Sequence, residues 1–300
     1  MDYFKTELRK WADWQAVMLS PVVFEPLIQQ IYRSENEPFK TPEAVADPFA
    51  AVFTVGPTQI AIFPPVTVAS DTRDRYQTER FSLRRLARLK VAAATLLHAG
   101  FIFDSEQFYY VIYRPLVGTS LTEFVKTAEP LAKSTLGRQL GTAVRQLNSE
   151  VAGFNQVDAA TLANQANWTQ LGSSFVAERE SYLAAHPVSM TDYVHGRLTG
   201  ENIVVTAGQV GFQHFQAAVQ GPRQVDLATL VSEAFAGDAD LLSGFQTTFK
   251  SPDLAVDVLI GLLWRPDGPA RIQALMGAKQ VTFTALTQRV QQLVKTESEG

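Results

Sequence analysis

The residues able to do polar chemistry gather in one stretch. VHGRLTGENIVV, residues 194–205, holds His195, Arg197, Glu201 and Asn202, and His214 and Asp226 come after it. Arg197 puts a fixed cation among these groups. A guanidinium cannot accept a proton at physiological pH. His214 suits transition metals better than magnesium, which prefers hard oxygen donors. The other two histidines, His98 and His186, are isolated, without metal-ligand spacing, and read as ordinary surface or packed side chains. The chain has no cysteine, which excludes disulfides, thiolate nucleophiles and thiolate metal sites.

Composition narrows the classes further. With 26 Lys and Arg against 30 Asp and Glu, the net charge of −4 provides no field for nucleic acid or an anionic membrane, so neither is expected as a partner. The five cations between Arg80 and Lys90 lie on an amphipathic helix and read as its solvated face. No segment has the uninterrupted apolar run of a signal peptide or membrane helix, and the expectation is a soluble, cytoplasmic protein of 300 residues.

Several elements must hold that stretch in place. The first 35 residues show helix spacing, with Phe4, Leu8 and Trp11, then Phe24, Leu27 and Ile31, divided by Pro21. Two hairpins are expected, Ala50–Val55 with Gln59–Phe63 and Ala99–Phe103 with Phe108–Tyr113, separated by a helix that buries Tyr76, Phe81 or Glu79, Leu83 and Leu86. Arg114-Pro115-Leu116-Val117-Gly118 breaks both periods, and Ser120 to Glu123 reads as a capping box. Beyond it come helices at Leu131–Asn148, Trp168–Ala185, Asp226–Ala236 and the C-terminal end, around one β-rich island, Glu201–Ala218. The expected fold class is therefore α+β and two-lobed: an N-lobe with a helical extension over 1–113, a hinge at 114–118, and a mostly helical C-lobe over 119–300.

His195-Gly196-Arg197-Leu198-Thr199-Gly200-Glu201-Asn202-Ile203-Val204-Val205, then Gly208 to Phe215, then Val225-Asp226-Leu227-Ala228, resembles the C-lobe signature of the aminoglycoside phosphotransferase and choline kinase-like family. There the text runs HGDLxxxNILV, an IDF stretch and a YDLA-type helix start. IAIFPP, ERFSLRRLA, YYVIYRPLVGTSL and LGRQLGTAVRQLN look like further counterparts in the same order, so the resemblance spans roughly residues 45–250. It implies a protein kinase-like fold and ATP-dependent transfer of a phosphoryl group to a small molecule, work done by charge placed around phosphates.

The resemblance also shows what is missing. The family's phosphate-binding lysine falls on Ala61, its catalytic-loop acid on Arg197, and its second metal acid on His214. Glu79 would be the helix acid that orients the lysine, or a solvated glutamate. Asn202 would be the amide ligand of the metal, or a structural bridge across the loop. His195 and Asp226 remain as frame, and Tyr113, Arg114 and Leu116 lie in the segment that would meet adenine through backbone groups. Only Gly56 precedes Gly100, so ADPFAAV lacks a phosphate-covering glycine loop.

These losses point to a degenerate member, a pseudokinase that binds a protein partner or a small anionic ligand. Replacing two carboxylates by Arg197 and His214 turns a site of about −2 into one of about +1 to +2, which repels a divalent cation. Arg197 then either pairs with Glu201, Glu79 or Asp226 and closes the nucleotide cleft, or holds an anion there. No cofactor is required, and ATP without magnesium is the one the resemblance keeps in play. The alternative is an atypical phosphotransferase that recruits Lys90 or Arg73 for the lysine and Glu201 or Asp192 for the acid.

Overall fold

A computed structural model describes residues 3–206 and 209–295. The chain divides into two compact units, Met1–Arg88 with Ala93–Leu116, and Leu89–Ala92 with Val117–Gly300.

In the first unit, helices α1 (Trp11–Val17) and α2 (Pro21–Ser34) begin later than the apolar spacing suggests. Phe4 and Leu8 are buried but not helical, because other partners take the nearby backbone amides. Asp104 accepts the Phe4 N–H at 2.7 Å, and the Asp13 carboxylate accepts those of Arg9 and Lys10 at 2.9 and 3.1 Å. Pro21, whose ring suits a first helical turn, opens α2, and Phe24, Leu27, Ile28 and Ile31 bury its apolar stripe. Strands β1 (Glu43–Val45), β2 (Ala51–Val55) and β3 (Thr58–Ile62) come next, then α3 (Thr72–Leu89). After the short β4 (Ala92–Ala93) come β5 (Thr95–Phe103) and β6 (Gln107–Arg114). The sheet is antiparallel in the order β1-β2-β3-β6-β5. The two expected hairpins form, the second starting earlier than expected and carrying an irregularity between Leu96 and His98.

The second unit begins with β7 (Thr119–Ser120), α4 (Leu121–Thr127), α5 (Pro130–Leu147) and α6 (Ala159–Gln165). The capping box is half made: Ser120 Oγ accepts the Glu123 N–H at 3.2 Å, while the Glu123 carboxylate pairs with Lys126 at 2.6 Å. The helix expected over Trp168–Ala185 is interrupted. A 3₁₀ turn, Trp168–Leu171, stops at Gly172, whose φ of +92° no helix accommodates, and α7 (Ser173–Ala185) restarts there. Strands β8 (Asp192–Val194), β9 (Ile203–Thr206), β10 (Gln209–Phe212) and β11 (Val219–Gly221) then form two sets, β4-β10-β9-β7 and β11-β8, with β10, β9 and β7 antiparallel in the first and both strands antiparallel in the second. Helix α8 (Gln224–Thr229) passes into a π turn at Leu230–Ala234, and α9 (Ala239–Phe249), α10 (Leu254–Trp264), α11 (Gly268–Met276) and α12 (Phe283–Leu293) complete the chain.

Helix α5 positions the loop that carries the polar residues. Leu136, Leu140, Val144 and Leu147 recur on its buried face, and Asn148 ends it directly beside the chain leaving β8. Gly137 lets α9 approach at backbone distance: a Cβ there would stand 2.3 Å from the Leu241 carbonyl. No helix among the described residues is long and apolar enough to cross a membrane.

Candidate functional site

The loop after β8 is built around a buried carboxylate. Asp226, fully buried in α8, accepts the backbone N–H groups of His195 and Gly196 at 2.7 and 2.9 Å, and the Asn148 side-chain amide at 2.7 Å. The same amide donates to the Tyr193 carbonyl at 2.8 Å, so one asparagine joins the end of α5 to strand and loop. Burial pushes the Asp226 carboxyl up to about 6, and the three N–H donors oppose that rise.

His195 is fixed in one form. Its Nε2 faces the Gln213 carbonyl at 3.0 Å and its Nδ1 faces the Arg197 backbone N–H at 3.3 Å. A carbonyl can only accept and an N–H can only donate, so the imidazole is neutral with its proton on Nε2. Burial holds its pKa down to about 4, and His214 and Arg197 lower it further by repulsion. The backbone N–H of Arg197 on Nδ1 keeps the start of that residue against the ring.

Gly196 turns the chain with φ at +80°, and a Cβ there would meet the Ala217 carbonyl at 2.3 Å. The next residue, Arg197, is exposed. Its backbone carbonyl accepts the Asn202 side-chain amide at 2.7 Å, so Asn202 does bridge the loop, and its Oδ1 is the end of the amide left that could face a cation. Among the described residues of its own unit, no carboxylate lies within 4 Å of the Arg197 guanidinium, and the expected pairs with Glu201 and Asp226 are not formed. Asp226 is already committed to three N–H donors. Gln213 ties the far side, donating from its backbone to the Asn202 carbonyl at 3.1 Å and from its side chain to the Glu201 carbonyl at 3.0 Å. His214 comes next in the left-handed region, with φ at +62°. Gly208 lies outside the described residues. Among those described, no group of three or more His, Asp or Glu is arranged to hold a metal ion.

The first unit places the remaining candidates. Ala61 is buried in β3, paired with Val52 and Val111. Glu79 is only 6 % exposed and shares the buried face of α3 with Tyr76, Leu83 and Leu86, so the solvated-glutamate reading fails and Glu79, not Phe81, completes that face. Tyr113 and Arg114 are the last residues of β6; Arg114 is exposed and Leu116 half-buried. Burial, with the carboxylates of Glu79 and Asp47 nearby, raises the Tyr113 phenol well above its ordinary value.

Asp47 belongs to no sequence signature, yet it shapes this unit. It lies in the turn between β1 and β2, only 7 % exposed, and its Oδ1 accepts the N–H groups of Phe49 and Ala50 at 2.8 and 2.7 Å. The Asp-Pro pair was the available signal, since Asp readily caps the amides beyond it. Phe49 is held further by Trp11, stacked at 5.5 Å, and by the Trp14 indole N–H on its carbonyl at 2.9 Å. His98 is a packed side chain between two carboxylates. Its two ring nitrogens face Glu35 and Glu37, each at 2.9 Å, and Tyr110 donates to Glu35. His186 stacks on Tyr182 at 4.0 Å.

No protein-family sequence model matches the chain, and no curated protein sequence does. Solved structures do. The GDP complex of aminoglycoside 2′-phosphotransferase-IIIa is 15% identical and covers 92% of this chain and 97% of its own, with a TM-score of 0.62. A choline/ethanolamine kinase family protein from Mesorhizobium loti is 16% identical over 86% of this chain and 89% of its own, at TM-score 0.55. The amicoumacin kinase hAmiN, in complex with AMP-PNP, calcium and amicoumacin, is 12% identical over 89% and 92%, at 0.56. The chain therefore has the α+β, two-lobed kinase-like fold that these phosphotransferases share.

Proposed function

We propose that this chain is a member of the aminoglycoside phosphotransferase and choline kinase-like family that has lost phosphoryl transfer and acts by binding a small anion or a partner protein. One observation carries the reading. A fully braced loop presents Arg197, exposed and without a described carboxylate of its own unit in reach, at the position the resemblance assigns to the catalytic acid. A guanidinium there cannot accept a hydroxyl proton, and a fixed cation attracts an anion.

Magnesium does not fit these residues. Asn202 offers one hard oxygen, His214 is a nitrogen donor, and Arg197 repels a divalent cation, so no step is assigned to the metal. The turn between β1 and β2 supports the same reading, because Asp47 occupies two successive amides of the kind that cradle phosphate in a glycine loop. A nucleotide bound by this chain would be held through its base at the backbone of Tyr113, Arg114 and Leu116, without a metal.

Thermal unfolding with ATP, with magnesium and with both tests the reading. The expected result is that magnesium adds nothing to any ATP shift and that no phosphoryl transfer to hydroxyl or amine acceptors is detected. A much larger shift with both present, or turnover at an ordinary kinase rate of about 1–100 per second, would establish the atypical phosphotransferase instead.

A further inference from the structure

We propose that the second unit carries a binding site for a small organic phosphate bearing hydroxyl groups, in a cavity of about 610 Å³ lined by Lys90, Arg138, Thr142, Gln146, Gln209 and Thr248. The site shares no residue with the loop around Arg197, and it stands whether or not phosphoryl transfer has been lost. It is an open groove, with Lys90, Arg138, Thr142, Gln146 and Gln209 exposed along it, and its volume accommodates a ligand of sugar-phosphate size.

Charge selects the ligand. Acids outnumber bases in this chain, 30 to 26, yet among the described residues no carboxylate lines the cavity and two cations do. The Arg138 guanidinium donates to neutral hydroxyls, Ser134 Oγ at 3.3 Å and Thr135 Oγ1 at 2.9 Å. Arg145 adds a third cation at the rim, donating to the Thr248 carbonyl at 3.3 Å. Neither lining cation has a carboxylate within 4 Å among the described residues of this unit. Two or three cations with uncompensated charge match a phosphate dianion, for which arginine supplies paired donors and lysine a point charge. The amides of Gln146 and Gln209 and the hydroxyls of Thr142 and Thr248 both donate and accept, which suits ligand hydroxyls.

Lys90 ends its helix in the left-handed region. It comes directly after the last residue of α3 with φ at +56°, in the left-handed conformation where a helix usually ends on glycine. Lys250 ends α9 in the same conformation, so the backbone there marks a helix end, and what Lys90 brings to the groove is its side-chain charge.

Isothermal titration of the full chain with glucose 6-phosphate, glucose and inorganic phosphate, without magnesium, tests the proposal. Glucose 6-phosphate is expected to bind saturably, inorganic phosphate more weakly, and glucose not at all. Lys90→Gly and Arg138→Gln should each weaken glucose 6-phosphate binding by at least about tenfold, as loss of a charge-assisted hydrogen bond does. Lys90→Gly should at the same time raise the melting temperature, because it relieves the left-handed strain. Arg289→Gln, at an exposed cation of α12 that lines neither the groove nor the Arg197 loop, should bind the same probe as the unmodified chain does. The proposal is overturned if glucose 6-phosphate gives no binding at millimolar concentration, if both cavity variants bind it unchanged, or if Arg197→Ala is the variant that loses it.

Discussion

Two turns in this protein use the same local chemistry to opposite ends. Asp226 takes the N–H groups of His195 and Gly196, and Asp47 takes those of Phe49 and Ala50, all at 2.7–2.9 Å. Asp226 reaches back across about thirty residues and, through Asn148, joins α5, β8 and α8. The two amides that Asp47 takes lie two and three residues further on, in its own turn. In the first case a carboxylate spends its acceptors on holding a loop so that the next side chain, Arg197, is presented outward. In the second it satisfies amides that follow it in the same turn. Each is an aspartate over two consecutive N–H groups, but one ties distant elements together and the other holds its own neighbours, and only the first serves the binding loop of the proposed function.

Removing each carboxylate measures the difference. Asp226→Ala leaves two backbone N–H groups and one of the two Asn148 amide hydrogens without acceptors, the other still reaching the Tyr193 carbonyl, and should cost about 3–5 kcal/mol in urea unfolding at neutral pH. Asp47→Ala should cost less, about 1–3 kcal/mol, because its turn is local and can relax. Equal costs would mean that Asp47 also anchors distant parts of its unit, and the contrast would be lost.

A titration sharpens the comparison within the second unit. His195 is held neutral, with its pKa lowered from an ordinary 6.5 to about 4. As pH falls from about 6.5 to about 4 the unfolded chain gains a proton that the folded chain refuses, so His195 takes away about 3 kcal/mol of stability over that window. Asp226 acts in the opposite sense: its raised pKa of about 6 stabilises the fold at low pH and that contribution is lost as pH rises from about 3.8 to about 6. The two nearly cancel between pH 4 and 6. His195→Asn, which keeps an acceptor for the Arg197 N–H, removes one side of the balance. The stability deficit of this variant relative to the unmodified chain should shrink by about 3 kcal/mol between pH 6.5 and pH 4 in urea titrations. A deficit that does not change with pH would show that the ring is charged in the fold.

How much of this was legible depends on how far apart the partners stand. His195, Asp226 and Asn202 could be placed from one continuous signature, and Glu79 was one of two choices for a single face of α3. The break at Gly172 could have been read from a glycine with two serines after it, but helical spacing on both sides masks it. The His98 clamp could not be read, because Glu35 and Glu37 come from the end of α2 and only sheet pairing brings β5 to them. The cavity at Lys90 was equally hidden: its cations lie on α5 and beyond α3, and each reads alone as a solvated charge. Capping and loop bracing leave local marks in a sequence, whereas ion pairs and cavities between distant elements leave none.

Arg197 should give the smallest stability change and the largest change in chemistry. It is exposed and has no described carboxylate of its own unit within reach, so Arg197→Ala should shift the unfolding free energy by no more than about 0.5 kcal/mol. Its carbonyl, which Asn202 holds, is unaffected by the substitution. The double variant Arg197→Asp with His214→Asp goes further, returning two hard carboxylates to a loop whose bracing stays intact. Asp tolerates the left-handed backbone at position 214, so the fold should survive. Magnesium should then raise the ATP-dependent thermal shift in the double variant and not in the unmodified chain. Were magnesium to add nothing in the double variant, carboxylates at positions 197 and 214 would not suffice to give this loop a metal site, and the resemblance would no longer explain what Arg197 and His214 replace.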